Sequence, residues 1–161
     1  MITLDLPDEG AVRQAVEKLP GLRAFLRRAQ KAVPLAGEVS VLLTSDREIR
    51  RLNREFRRQD KSTDVLSFPA PELPENIAGD LAISLDTAAR QAKQFGHTLD
   101  IEIKILLLHG LLHLAGLDHE SDGGEMARRE DGLRRRFRLP VTLIARAAAP
   151  APAAKSLRGR R

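Results

Sequence analysis

The sequence predicts an α+β fold, a single domain in which a small mixed β-sheet packs against helices. Strand-like and helix-like segments follow one another along 161 residues, a length that suits one domain with its own core. The chain has no cysteine, so neither a disulfide framework nor a Cys-based zinc finger can support the fold. One segment, residues 99–114, is apolar around nearly its whole helical circumference, which predicts a central buried helix.

The first half of the chain alternates strand-like and helix-like segments. Apolar residues at positions 2, 4 and 6 alternate with polar ones, which is typical of a strand. Ile49, Leu52 and Phe56 fall on one face of a predicted helix, and residues 44–46 (TSD) can cap its first turn. The predicted elements are a strand at 2–6, a helix at 11–32 interrupted at Pro20 and Gly21, a strand at 38–43 and a helix at about 46–58.

The second half of the sequence is predicted to form two strands followed by three helices. A proline-rich loop with Pro69, Pro71 and Pro74 is predicted between the strands, and Asp86 is the predicted N-cap of the next helix. The predicted elements are strands at 64–68 and 80–85, a helix from Asp86 through Gln94, the apolar helix at 99–114 and an amphipathic helix at about 124–137.

The positive charge is concentrated at the C-terminus. The whole chain carries +5, and Lys155, Arg158, Arg160 and Arg161 supply +4 without a neighbouring acid, which leaves residues 1–146 at +1. We therefore predict a folded domain over residues 1–146 and a disordered basic Ala/Pro/Arg tail over residues 147–161. Because the folded part is nearly neutral, its total charge alone does not argue for a nucleic-acid partner.

Targeting signals are absent from the sequence as given. Its start, MITLDLPDEG, lacks the basic and long apolar regions of a secretory signal, and no uncharged apolar run is long enough to span a bilayer. Together with the absence of cysteine, this predicts a cytoplasmic protein with no membrane partner.

Three of the four histidines lie within eleven residues and predict a metal site. His109 and His113 are four residues apart, so on a helix their rings share one face. Gly116 can end that helix in a left-handed conformation and allow His119 to return as a third ligand. The alternative is ordinary histidines bonded to backbone or solvent, but two buried imidazoles without partners would cost roughly 1–3 kcal/mol each. We predict one zinc ion per chain on the central buried helix, with an open fourth position typical of catalytic zinc.

Three sequence blocks resemble the YbeY family of bacterial rRNA maturation factors. They are HGLLHLAGLDH (109–119), NREFRRQDKSTDVLSFP (53–69) and GDLAIS (79–84), and the resemblance covers about residues 38–138 in consistent order. It implies a zinc-dependent, single-strand-specific endoribonuclease acting in 16S rRNA 3′-end processing and ribosome quality control. It also implies ribosomal RNA and the small ribosomal subunit or its proteins as partners. Phe56 stands where the family commonly has tyrosine, and the C-terminal tail lies outside the family pattern.

Arg57 and His113 are the candidate catalytic residues, and His109, His113 and His119 are the candidate metal ligands. The resemblance implies a functional arginine at position 57, and a guanidinium can bind phosphate with two parallel hydrogen bonds. Thr63 and Asp64 either line the cleft or form a turn, while Asp118 either orients a ligand imidazole or caps a turn. A stripe of cations on the helix at 46–58 either follows the RNA backbone or is a solvated face; its members are Arg47, Arg50, Arg51, Arg54, Arg58 and Lys61.

Two other function classes stay open at this point. The histidine spacing is similar to that of the metzincin zinc proteases, but Gly110 occupies the place of their glutamate base. A non-catalytic ribosome-assembly factor with structural zinc would instead have a closed fourth coordination site. The sequence does not identify the general base, and it allows either 5′-phosphate or cyclic phosphate product ends.

Overall fold

The computed structural model describes residues 1–4, 19, 21–71 and 76–148, and the elements within them form an α+β domain, as predicted. The strands are β1 (Ile2–Leu4), β2 (Glu38–Thr44), β3 (Val65–Pro69) and β4 (Ile77–Ser84). The helices are α1 (Leu22–Ala32), α2 (Asp46–Arg57), α3 (Leu85–Phe95), α4 (Leu99–Leu114), α5 (Glu125–Phe137) and α6 (Leu143–Ala148). None of these helices combines the length and the apolar character needed to traverse a lipid bilayer.

The four strands form one mixed sheet in the order β1-β2-β4-β3. β1 and β4 both run parallel to β2, while β3 pairs antiparallel with β4, with Ser67 opposite Leu81. β3 is therefore an edge strand. This explains why Pro69, predicted in the loop, is its last residue, since an edge strand tolerates a residue without an N–H donor.

Helix α4 is the central buried helix and has the predicted bounds. Thr98 caps it by accepting a hydrogen bond from the Ile101 N–H at 3.3 Å. Its middle is buried against the sheet and against α1 and α3, which explains the absence of a polar face in the sequence. At Gly110 the helix lies so close to β4 that a Cβ atom would come within 2.7 Å of Leu81 Cδ2.

The predicted N-cap of α3 is wrong. The side chain of Ser84, not Asp86, accepts the Thr87 N–H, at 3.1 Å. The Asp86 carboxylate instead accepts the Asp46 N–H at 2.8 Å, at the first residue of α2. Because β2 and β4 are parallel neighbours, the helices that follow them begin side by side, and each can supply capping groups to the other.

Four sequence predictions extend beyond the described residues. Leu6, residues 11–18 and Pro74 lie outside them, as do residues 149–161 of the predicted tail. Helix α6 runs through Ala148, so the first two residues of that segment are helical. The domain boundary at residue 146 stays a prediction.

Asp46 joins the starts of α2 and α3 and should make the fold sensitive to acid. Its carboxylate accepts hydrogen bonds from Ser84, Thr87, Arg90 and Ser62 at 2.5, 2.6, 2.8 and 3.1 Å. Partial burial raises the pKa of Asp46, but these hydrogen bonds outweigh it and hold the pKa at about 2 instead of 3.8. A lowered pKa contributes stability above the unfolded value, and this contribution is lost as the pH falls from about 4 to 2.

Asp46→Asn should therefore lower the free energy of unfolding at pH 7 by about 1–2 kcal/mol, with allowance for solvent screening. The deficit relative to the wild type should shrink between pH 4 and pH 2, as measured by urea unfolding. Asp60→Asn is the matched control, because Asp60 pairs with Arg50 on the exposed surface and should change stability much less. A constant deficit across this pH range would contradict the assignment.

Candidate metal centre

Helix α4 and the turn after it bring the three predicted histidine ligands together. The Nε2 atoms of His109 and His113 lie 3.1 Å apart, as expected for neighbours four residues apart on one helical face. One ligand atom from each of His109, His113 and His119 lies within 4.8 Å of the others. The group can thus hold a single metal ion. His109 is buried, His113 is half-buried and His119 is exposed.

The turn that ends α4 positions two of these histidines. Gly116 adopts a left-handed conformation with φ of 91°, as predicted, and the Leu117 N–H reaches back to the Leu112 carbonyl at 3.1 Å. The same turn points the Leu117 carbonyl at His113, whose Nδ1 lies 2.9 Å away. It also reverses the chain, so that His119 approaches the other two imidazoles.

The hydrogen bonds of His109 and His113 leave two lone pairs facing each other. A carbonyl can only accept, so His113 Nδ1 donates to Leu117. His109 Nδ1 lies 3.1 Å from Oε1 of Glu130, which is buried, and donates to this carboxylate. With Nδ1 donating, Nε2 of each ring is an acceptor in the neutral form that binds metals, and two acceptors 3.1 Å apart repel unless a cation lies beside them. The arrangement fits a metal ion.

The environment of His113 keeps its ring available as a ligand. Burial lowers the pKa of His113, and the neighbouring His109 and His119 lower it further. The Leu117 carbonyl and Asp118 act in the opposite direction without reversing the shift. A pKa below the usual value favours the neutral imidazole, which is the form that binds metals.

Glu130 is the one carboxylate that orients a ligand imidazole among the described residues, and the sequence analysis missed it. It lies in α5 on the same face as Met126, Leu133 and Phe137, where an acidic residue is unexpected. That placement was an available signal, because a buried carboxylate needs a partner. Asp118, the predicted alternative, accepts hydrogen bonds from the Glu120 N–H and the Ser121 hydroxyl and caps the turn.

A cleft of about 590 Å³ opens over the three histidines. Arg57 lines it from the end of α2, and its Nη2 donates to the Ser67 carbonyl on β3 at 2.8 Å. The guanidinium also lies 5.9 Å from the centre of the Phe68 ring. Thr63 and Asp64 line the cleft as well, beside the start of β3.

Three of the six cations in the stripe on α2 lie within ion-pair distance of nearby acids. Arg50 pairs with Asp60 at 2.8 Å, and Arg51 pairs with Glu48 and Glu55 at 2.6 and 2.5 Å. These exposed pairs match the interpretation of a solvated face. Among the arginines of α2, Arg57 is the one that lines the cleft.

Comparisons with known proteins point to one family. The family model described as endoribonuclease YbeY matches residues 8–138. Proteins of that name from Koribacter versatilis and Solibacter usitatus are 55% identical over 130 residues and 51% identical over 134 residues. These alignments cover 81% and 82% of this chain and 84% and 88% of the relatives. The solution structure of TM1509 from Thermotoga maritima is 32% identical with a TM-score of 0.54, covering 86% of this chain and 92% of that one.

Proposed function

The chain belongs to the endoribonuclease YbeY family, and we propose that it is a zinc-dependent endoribonuclease specific for single-stranded RNA. The observation that carries the proposal is the pair of facing Nε2 atoms of His109 and His113, which lie 3.1 Å apart. His119 lies close enough to provide a third ligand, and Arg57 lines the cleft above the three histidines. A metal bound by three protein ligands keeps coordination positions open for water and substrate, which is typical of catalytic rather than structural sites.

The donor set favours zinc. Three imidazole nitrogens suit Zn²⁺, which in proteins is commonly bound by histidine at about 2.0–2.1 Å. Bound there, zinc would supply a water with a pKa near 7 and a Lewis acid for a phosphoryl oxygen. Glu130 and the Leu117 carbonyl hold the two helical imidazoles through Nδ1, so that both Nε2 atoms would be free to bind the ion.

Arg57 is proposed to bind the phosphate that is cleaved. One of its N–H groups is held by the Ser67 carbonyl, which anchors the side chain at the cleft, and the other donors can face the substrate. A guanidinium placed there would neutralise the charge that develops on the phosphoryl oxygens. His113, the central ligand, completes the proposed catalytic pair with Arg57.

Packing at Gly110 disfavours the metalloprotease alternative. The metzincin proteases have their glutamate base at this place, but here a side chain would collide with Leu81 on β4, 2.7 Å from the position of the Cβ. A glutamate at this position would therefore require the buried Leu81 side chain to move. An assay with an unfolded protein substrate should detect no hydrolysis.

We further propose a cytoplasmic role in 16S rRNA 3′-end maturation and ribosome quality control, with the small ribosomal subunit or its proteins as partners. The family membership supports this role. The chain has no tyrosine or tryptophan, which leaves phenylalanine, histidine and arginine for base stacking, so we propose that partners rather than base recognition choose the cleavage site.

The proposal is tested by measuring bound metal and RNA cleavage on the same preparation. We expect one zinc ion per chain, cleavage of a single-stranded RNA and no cleavage of the corresponding duplex. Removal of zinc by a chelator should abolish cleavage, and added zinc should restore it. Full activity in metal-free protein would overturn the proposal, and analysis of the product ends would identify the nucleophile.

The C-terminal tail is expected to assist RNA capture without supporting the fold. Deletion should begin at residue 149, because Ala147 and Ala148 belong to α6. The removed segment contains four cations and no acid. We expect weaker RNA binding and a shallower dependence on salt, by up to about 0.7 in slope for each lost phosphate contact. Unchanged affinity and slope at low salt would assign the tail another purpose.

A further inference from the structure

A buried arginine in α6 is bonded to the N-terminal half of α4. Arg146, which is 9% exposed, donates from Nη1 and Nη2 to the two carboxylate oxygens of Glu102 at 2.9 and 2.7 Å. Glu102 is completely buried, and His97 Nε2 lies 2.5 Å from one of its oxygens. The Arg146 guanidinium also lies 4.4 Å from the centre of the Phe95 ring. The proposed reaction uses none of these groups.

Stability alone is a weak explanation for this pair. Two buried charges lose their hydration, and apolar residues of similar volume often serve as well or better. A two-pronged guanidinium–carboxylate pair does, however, fix distance and orientation more closely than an apolar contact. The Arg146–Glu102 pair is therefore better explained as a device that fixes the position of α6 relative to the residues that α6 contacts.

Helix α6 reaches the metal centre through Glu130. The Ile144 N–H in its first turn donates to Glu130 Oε2 at 3.4 Å, and Glu130 Oε1 accepts from His109 Nδ1 at 3.1 Å. Leu143, the first residue of α6, lines the cleft itself. A shift of α6 would thus move one wall of the cleft and release one oxygen of the carboxylate that orients His109.

A second chain of hydrogen bonds leads from Arg146 to the β3 side of the cleft. Arg146 Nη2 also donates to Gln91 Oε1 at 3.3 Å, and Gln91 Nε2 donates to Asp64 Oδ2 at 3.3 Å. Asp64 lines the cleft just before β3. Arg146 is thereby connected to two different parts of the cleft although it does not line the cleft itself.

We propose that Arg146 is a positioning residue for the metal centre. By fixing α6 against Glu102 of α4, it holds Leu143 in the cleft wall and supports Glu130 against His109. The inference rests on the proposed function only in that the three histidines bind zinc.

The test compares zinc affinities of Arg146→Met and the wild type by competition with a chelator of known affinity. Loss of a group that supports a ligand costs about 10- to 100-fold in metal affinity, so Glu130→Gln sets this scale and Arg146→Met should lose about tenfold. Lys104→Met is the matched control, because it removes the Lys104–Asp100 ion pair, which lies within the same helix and includes no residue of α6. It should bind zinc as the wild type does.

A second measurement does not depend on zinc. In metal-free protein, ¹⁵N chemical shifts of the His109 ring report which nitrogen carries the proton. The wild type should hold the proton on Nδ1, and Arg146→Met should show a mixture of the two neutral forms. Arg146→Lys, which keeps the charge without the two-pronged geometry, should fall between them in both measurements.

Folded Arg146→Met with wild-type zinc affinity and a wild-type His109 signal would overturn the inference. If Arg146→Met does not fold, Arg146→Lys decides by the same two criteria. If the wild type itself binds no zinc, the proposed function fails, and the His109 signal alone decides whether Arg146 positions this ring.

Discussion

His113→Ala is expected to abolish zinc binding and, with it, RNA cleavage. His113 Nε2 is 3.1 Å from that of His109, and His113 Nδ1 binds the Leu117 carbonyl in the turn that carries His119. The variant therefore loses one ligand and also loosens the turn that holds another. Zinc chemistry contributes several kcal/mol to such reactions, so the cleavage rate should fall by at least about 10³-fold. Zinc content by elemental analysis and cleavage of single-stranded RNA provide the measurement.

The other ligands should follow the same pattern to a lesser degree. His109→Ala and His119→Ala should weaken zinc binding strongly, while Lys104→Met on the same helix should leave it unchanged. Stoichiometric zinc in the double variant His109→Ala/His113→Ala would refute the ligand assignment. All these variants should be folded, as checked by circular dichroism, since the effect is assigned to the metal and not to the core.

Arg57→Ala is expected to reduce RNA cleavage by about 10²–10³-fold at unchanged zinc content. The range follows from the loss of comparable groups that stabilise negative charge in a transition state. The change should cost only about 1 kcal/mol of stability, because Arg57 is exposed and loses one hydrogen bond, that to the Ser67 carbonyl. Single-turnover cleavage at saturating RNA measures the effect on the chemical step.

Two further variants test whether the effect depends on the geometry of the guanidinium group and on its position in the cleft. Arg57→Lys should recover only part of the rate, because an ammonium group cannot make the paired hydrogen bonds of a guanidinium. Arg54→Ala is the matched control on the same helix, with its guanidinium 3.9 Å from Asp60. It should at most raise the RNA concentration needed and leave the saturated rate unchanged. Zinc-replete Arg57→Ala with the wild-type rate would remove Arg57 from the site, and the metal assignment would stand.

Features that depend on neighbouring residues were predictable from the sequence alone. The bounds of α4 follow from its apolar run and from Gly116, both of which act within a few residues. The approach of His109 and His113 follows from helical geometry in the same way. The α+β fold was predictable because helices and strands differ in the period of their apolar residues.

The groups that support the histidines from distant parts of the chain are identified by how the elements pack in three dimensions. Glu130 is 21 residues from His109, and Arg146 is 44 residues from Glu102, so no local period or spacing connects them. Ser84 caps α3 in place of the predicted Asp86, which instead binds the first N–H of α2. This arrangement depends on the parallel pairing of β2 and β4, because that pairing places the starts of α2 and α3 side by side. Metal ligands can share one turn of helix and be recognised by spacing, but the groups that orient them come from whichever elements pack nearby.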